Sequence, residues 1–487
     1  MTEQSAVSRP AATAPAARLE PDAIGAAQDT IIGMANAGPV VSVGLTMAAL
    51  VAVTAYGSGP VILITAIPML IIANAYRRLN MWNANCGASF EWVGRAINPY
   101  LGFMTGWLMI AGSLIGSVSG VVVLAPSVLA VFGSNASAKW PNVLIATGVS
   151  AVLLVIAIVG IRLTARTQVG LAAFEYGILI AFSIFVLIAV ISHHPGTFPI
   201  SRGWFTLSGI GGKGSAASGF LLAVFMYTGW DATIYVNEEV KHRRLNPGRA
   251  AMMAVFLLAL IFTLGTVGLQ GGVSPAKLQA NATSAPVYVI QQLAGGGWAK
   301  VMALALALSV IAATLCGIVV IARIVYGMAT RRVLPEFLAT VSRRFSTPAA
   351  ATLVVGLVLI AALWVYLLAT SVQNAFSDLI NVTGLLYAAF YVLTALATMV
   401  FYRRRVFSGA RDALTLGLLP LAASGFLVWI VVKSLMNAPG VQRWSVVGVV
   451  IIGLILMLVA RFGLRSPFFG LPRETASDNI EAEAARS

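Results

Sequence analysis

The chain has 487 residues, of which 59% are hydrophobic and only 10% charged, a balance that excludes an ordinary soluble globular protein. Its 31 basic and 16 acidic residues give a net charge of +15, which alone would suit a polyanion such as nucleic acid. The basic residues, however, gather between apolar runs on one side of the layout, so the charge marks membrane topology rather than a nucleic-acid partner.

Residues 1–19 are rich in Ala, Ser and Pro without an apolar core, and are expected to form a disordered tail rather than a signal peptide. Windows long enough to cross a bilayer then predict twelve transmembrane helices at 25–52, 56–76, 98–132, 141–161, 168–191, 216–237, 250–270, 298–328, 348–369, 376–402, 413–435 and 445–464. Residues 20–405 hold the first ten spans, 406–465 the last two, and 466–487 a second polar tail. With the N-terminus inside, the inner segments carry clusters such as Arg77, Arg78 and Arg95, Lys241, Arg243, Arg244 and Arg249, and Arg403, Arg404 and Arg405. The outer segments hold only Lys139, Arg202, Lys213, Lys277, Lys300, Lys433 and Arg443. This positive-inside asymmetry places both termini in the cytoplasm. Cys86 near an inner loop and Cys316 within a span lie apart and predict no disulfide. The pair His193-His194 makes a poor metal site by itself, and no metal site is expected. The triplets Asn135-Ala136-Ser137 and Asn281-Ala282-Thr283 fit glycosylation acceptors only where the source glycosylates.

Two spans are interrupted. In the first, Asn36-Ala37-Gly38-Pro39 breaks the helix, because Pro39 offers no N–H to Ala35 and its ring crowds that carbonyl. In the sixth, Tyr227-Thr228-Gly229-Trp230-Asp231 sets a helix-weakening glycine beside aromatic rings and a carboxyl. Breaks five spans apart predict two inverted halves, spans one to five and six to ten, with a binding site where the interruptions meet. The exposed N–H and C=O groups of such half-helices suit a carboxylate and an ammonium respectively. Asp231 has two readings: a partner for an ammonium or proton, or a structural carboxyl that caps the restarted helix or pairs with a neighbour. Tyr227 and Trp230 likewise read as an aromatic gate or as packing.

These residues resemble the amino acid–polyamine–organocation superfamily of permeases. The sixth-span stretch and its following Glu238-Glu239 are similar to that family's broken helix. So is Ala322-Arg323-Ile324-Val325-Tyr326-Gly327-Met328-Ala329 with Arg331-Arg332-Val333-Leu334-Pro335 to the end of its eighth span. Gly160-Ile161-Arg162-Leu163-Thr164-Ala165-Arg166-Thr167-Gln168 resembles its loop before span five, and Phe90-Glu91-Trp92-Val93 with Gly102-Phe103-Met104-Thr105-Gly106-Trp107 its entry to span three. The resemblance implies an all-α membrane protein with a LeuT-type five-plus-five inverted repeat. It also implies substrate contacts at Asn36, Ala37, Gly38, Tyr227, Thr228, Gly229, Trp230 and Asp231. Two departures stand out. The first-span break has one glycine where many members have a Gly-small-Gly motif, and Glu175 falls where some members hold a lysine. A carboxyl there can bind and release a proton or pair with a cation; its other reading is a carboxyl hydrogen-bonded within the bundle. Ser309 and Thr314 lie where the family's ion site is found, and small hydroxyls also serve as packing contacts.

The expected function is secondary transport of amino acids or related amines across the cytoplasmic membrane by alternating access, coupled to protons through Glu175. The partners are then a small-molecule substrate, the lipid bilayer and a proton, with no cofactor and no nucleic acid. A polyamine or organic-amine permease or exchanger, and a membrane nutrient sensor on the same fold, are the alternatives. Asp231 and Glu175, with no basic residue in spans one, five or six, tilt the substrate toward a cationic or amine-bearing one. No phosphate-binding Gly-x-x-x-x-Gly-Lys-Ser/Thr motif is present, and no convergent catalytic set lies at membrane depth. An enzyme is therefore not expected.

Overall fold

The computed structural model describes residues 18–132, 138–207, 210, 212–281, 284–369 and 372–476; outside them lie most of the first tail, the second from 477 on, the whole triplet 135–137 and the last two residues of the triplet 281–283. The described residues are helical, with a single isolated β-bridge between Ile24 and Val240. Ten helical stretches among them are long and apolar enough to cross a membrane. The first, Ala26–Trp82, is 57 residues long and contains two of the expected spans, while the start of the expected sixth span is a shorter apolar helix, Ala216–Tyr227.

The first expected span is two half-helices: α1 (Ala26–Ala37) and α2, which starts at Pro39–Val41 and runs through a π turn to Met47–Thr54. Gly38 caps α1 in the left-handed region (φ 55°, ψ 66°), and Pro39 opens α2. This is the pairing expected when a glycine ends one helix and a proline, needing no N–H partner, begins the next. A turn at 55–57 leads into α3 (Ser58–Trp82), followed by the short α4 (Ser89–Ala96) and the long α5 (Pro99–Val131). Then come α6 (Lys139–Val159) and α7 (Ile161–Ile191). The second broken element is α8 (Gly212–Tyr227), four residues of turn, and α9 (Ala232–Tyr235). The remainder is α10 (Asn246–Gly272), α11 (Pro275–Ala280), α12 (Ala285–Ala294), α13 (Gly296–Thr330), α14 (Ala349–Ala369), α15 (Val372–Phe401), α16 (Ala410–Asn437) and α17 (Gly440–Gly463).

Large apolar side chains such as Ile67, Val152, Ile188, Met253 and Val365 face outward, as a lipid-facing surface requires. Inside, helices meet where residues are small, because packing and not water exclusion drives association in lipid. α5 packs chiefly on α13 and α15. At the α5–α15 contact a Cβ added to Gly112 would lie 3.1 Å from Tyr387, and one on Gly116 3.3 Å from Thr383. The two glycines, one turn apart, thereby bring Thr383 and Tyr387 of α15 to the centre of the bundle.

Candidate functional site

The two helix breaks touch. Gly229 has φ 110°, and a Cβ there would stand 2.7 Å from the backbone of Asn36 and Ala37. Only a glycine, with its mirror-image backbone freedom, fits this approach. The Asn36 side-chain amide donates to the Gly229 carbonyl at 3.3 Å, tying the breaks together. Ser42 Oγ donates to the Ala37 carbonyl at 2.8 Å, and Thr228 Oγ1 to the Phe225 carbonyl at 2.6 Å. Hydroxyls thus satisfy part of the C=O surplus at each interrupted end.

At this junction lies a cavity of about 70 Å³. From the breaks it is lined by Asn36, Ala37, Thr228 and Gly229, and from α2 by Val41, Ser42 and Thr46. α5 contributes Ser113, Ser117 and Ser119 with Gly116 and Gly120, α13 contributes Thr314 and Gly317, and α15 contributes Thr383 and Tyr387. Among the described residues no charged side chain lines it. Ser113 and Tyr387 share a hydrogen bond of 2.8 Å across its wall, and Thr383 Oγ1 is buried without a partner.

Of the expected contact residues, Asn36, Ala37, Thr228 and Gly229 line the cavity, as does the expected ion-site hydroxyl Thr314, and Gly38 shapes the break behind it. Tyr227, Trp230 and Asp231 do not. Tyr227 turns away to donate to the Ile62 carbonyl at 3.2 Å and packs edge-on against Phe262. Trp230 stacks on Tyr391 with ring centroids 5.4 Å apart and meets Tyr76 edge-on. Asp231 is fully buried and accepts from Tyr391 Oη at 3.0 Å, while its second oxygen has no partner. It provides no side-chain cap for α9; its contact is the link from the break to α15.

Glu175 lies outside the cavity too. It is fully buried on α7, and neither carboxyl oxygen has a hydrogen bond of normal geometry among the described residues. Ser309 of α13 stands beside it, and Ser309 Oγ accepts the Val41 N–H at 3.3 Å, at the restart of the first broken span. Glu175 and Ser309 are therefore brought together, one hydroxyl away from the break, whereas Thr314 is separate and faces the cavity.

Sequence reasoning missed most of the wall. Ser113, Gly116, Ser117 and Gly120 recur at three- and four-residue spacing in α5, a small-residue stripe that signals a close helix contact but carries no chemistry by itself. It also missed Asp29, which is fully buried on α1 with both oxygens unpartnered.

On the face where α1 begins and α13 ends, Glu238 and Glu239 are followed in sequence by Lys241, His242, Arg243 and Arg244. Glu239 instead pairs with Arg323 of α13 through two bonds, 2.7 and 2.9 Å, and both side chains are completely buried. Glu238 accepts the Cys86 N–H at 2.9 Å. The β-bridge holds Ile24, just before α1, to this same segment: Ile24 N–H donates to Glu239 at 3.1 Å and Lys241 N–H to Ile24 at 3.0 Å. Asn237 donates to Asn80 at 2.8 Å, and Glu91 binds both Arg95 and Arg331. These contacts tie α1, α4 and α13 to the segment after α9.

The amino acid permease family profile matches residues 30–465. Human Asc-type amino acid transporter 1 is 25% identical over 396 residues, covering 77% of this chain and 70% of that protein. The mouse protein of the same name is 26% identical over 298 residues, covering 57% of this chain and 52% of its own length. An uncharacterized transporter of Mycobacterium tuberculosis is 24% identical over 346 residues, 69% of this chain and 72% of that protein. The chain spans about half the length of the rodent relatives it matches.

Proposed function

Because the chain belongs to the amino acid permease family and is an integral membrane protein, we propose that it is a secondary transporter carrying small neutral amino acids by alternating access. The observation that carries this reading is the cavity where two broken spans meet, walled by hydroxyls and backbone and free of charged side chains. At ~10–15 Å³ per water-sized unit, about 70 Å³ accommodates a compact zwitterion and is too small for an extended polyamine. A polyamine or other cation would also need a carboxylate in the wall, and neither Asp231 nor Glu175 supplies one. Half-helix ends there offer N–H groups to the carboxylate and C=O groups to the ammonium.

In this reading the chain crosses the cytoplasmic membrane twelve times with both termini inside. The stretch 26–82 crosses twice, α8 and α9 together form one crossing, and two inverted halves surround the junction. The closed basic face is the inner gate. Glu175, buried beside Ser309 and one hydroxyl from the α2 start, takes up and releases the coupling proton. Its position off the cavity supports coupling through the break rather than direct substrate contact.

The test is uptake of L-alanine into proteoliposomes, with and without an inward proton gradient, by wild type and Glu175→Gln. Gradient-stimulated uptake that Glu175→Gln loses, with the variant still exchanging alanine, supports the proposal. Gradient-independent uptake in both removes Glu175 from coupling. Alanine binding without flux favours a sensor.

A further inference from the structure

One to two turns further along both half-helices lies a second cavity, of about 260 Å³, that shares no lining residue with the first. α2 contributes Ala49 and Val53 to it, and α8 contributes Leu221 and Leu222. The two cavities are separated where α8 meets α15: a Cβ on Gly384 would lie 3.1 Å from Leu221. Thr383 and Tyr387 of α15 face the first cavity, Ile380, Asn381 and Leu385 the second.

The wall is mixed. Leu221, Leu222, Ile380 and Leu385 supply apolar surface. Ser218, Asn381, Ser434, Asn437 and Gln442 supply hydroxyls and amides, and among the described residues no charged one lines the space. Ser434 is only 7% exposed and its hydroxyl has no partner. Gln442 donates to Asp378 at 3.1 Å, which leaves its carbonyl oxygen to accept from another donor. This is not a bed for an acyl chain. The lipid-type groove beside Trp298, also about 260 Å³, is lined without one hydroxyl or amide side chain. A buried hydroxyl without a partner is destabilising, and a polar ligand that bonds it removes that cost.

We infer that this second cavity is an amino-acid site distinct from the transport cavity, taking neutral amino acids with bulky apolar side chains, and that its occupation slows transport. The ligand class rests on the amino acid transport proposed above. The ammonium and carboxylate meet Ser434, Asn381 and Gln442, and the side chain lies on Leu221, Leu222 and Ile380. Such a ligand bonds α2 and α8, the elements that carry the breaks, to α15 and the α16–α17 turn at once. It therefore fixes elements that alternating access must shift.

The experiment uses the full chain in proteoliposomes, with L-alanine as transported probe and L-leucine as modulator, together with equilibrium dialysis of L-leucine on the purified protein. Leucine lowers the maximal alanine uptake rate of wild type about fivefold or more, with little change in KM. Ser434→Leu, which fills the site, keeps alanine uptake and loses both the inhibition and the bound leucine. If Ser434→Leu does not fold, Asn437→Leu at the exposed rim gives the same readout. Purely competitive inhibition, or leucine binding unchanged in a folded variant, overturns the inference. Should wild type fail to move alanine, the transport reading falls, and dialysis still decides this site. Leucine bound by wild type and lost in Ser434→Leu sustains it; no bound leucine overturns it.

Discussion

Substituting Glu239→Gln should open the proposed inner gate. The pair it breaks is completely buried and joined by two short bonds, so the substitution leaves the Arg323 guanidinium uncompensated in the interior. Removing one member of a buried pair costs about 3–5 kcal/mol. Most of that cost vanishes in a conformation in which water reaches Arg323. The equilibrium between closed and open inner faces therefore shifts on the order of 10²- to 10³-fold toward open. The chain carries its own reporter in Cys86, which is buried and whose N–H is held by the neighbouring Glu238. Burial, and after it Glu238 and Glu239, push the Cys86 thiol well above its ordinary range, so it is a poor nucleophile in the closed state. In a Cys316→Ser background, a membrane-impermeant maleimide applied from the Cys86 side should label wild type slowly and Glu239→Gln much faster. Glu239→Gln/Arg323→Met, which removes both charges, should return labelling toward the wild-type rate. Equal labelling of all three proteins would refute the reasoning, because the pair would then have no part in closure.

Gly229→Ala should abolish alanine uptake, since a positive φ in a non-glycine costs about 1–3 kcal/mol and the new Cβ presses on Asn36 and Ala37 at 2.7 Å. Gly425→Ala, with open space around it, should transport normally. Thr314→Val removes a cavity hydroxyl and should raise the KM for alanine about fivefold, one hydrogen bond's worth at ~1 kcal/mol, measured by uptake kinetics. Tyr227→Phe loses only the bond to Ile62; it should lower the thermal midpoint, by about 1 kcal/mol of stability, and leave KM unchanged.

The breaks were legible because their causes are local. Gly38 and Pro39 carry a backbone preference that no neighbour needs to supply, and the helix ends where they stand. Gly229 was a weaker signal, and its reason lies 193 positions away in the Asn36 backbone it must admit. What sequence alone leaves open is direction. Tyr227, Trp230 and Asp231 follow one another at the break, but turns send their side chains to α3, Tyr391 and Tyr76, and away from the cavity. The wall instead comes from Ser113, Ser117, Thr383 and Tyr387, whose convergence depends on the α5–α15 crossing at Gly112 and Gly116. Glu239 shows the same dependence on the fold: its sequence neighbours are basic, but its partner is Arg323, 84 residues on.

Among the described residues no charged side chain lines the cavity wall, which suits the proposed transport of zwitterions. A fixed carboxylate or guanidinium in a dry site would bind its counter-charge by several kcal/mol, and breaking such a pair costs about 3–5 kcal/mol. Each ~1.4 kcal/mol of added affinity slows release tenfold at constant on-rate, so a site built that way would recognise the substrate and then hold it. Helix ends carry about half an elementary charge, and hydroxyls contribute about 1 kcal/mol apiece. Spread over two breaks and several hydroxyls, these interactions tell a zwitterion from a hydrocarbon yet remain weak enough singly to be exchanged for water. The fully buried pair of Glu239 and Arg323 stands apart from the cavity lining.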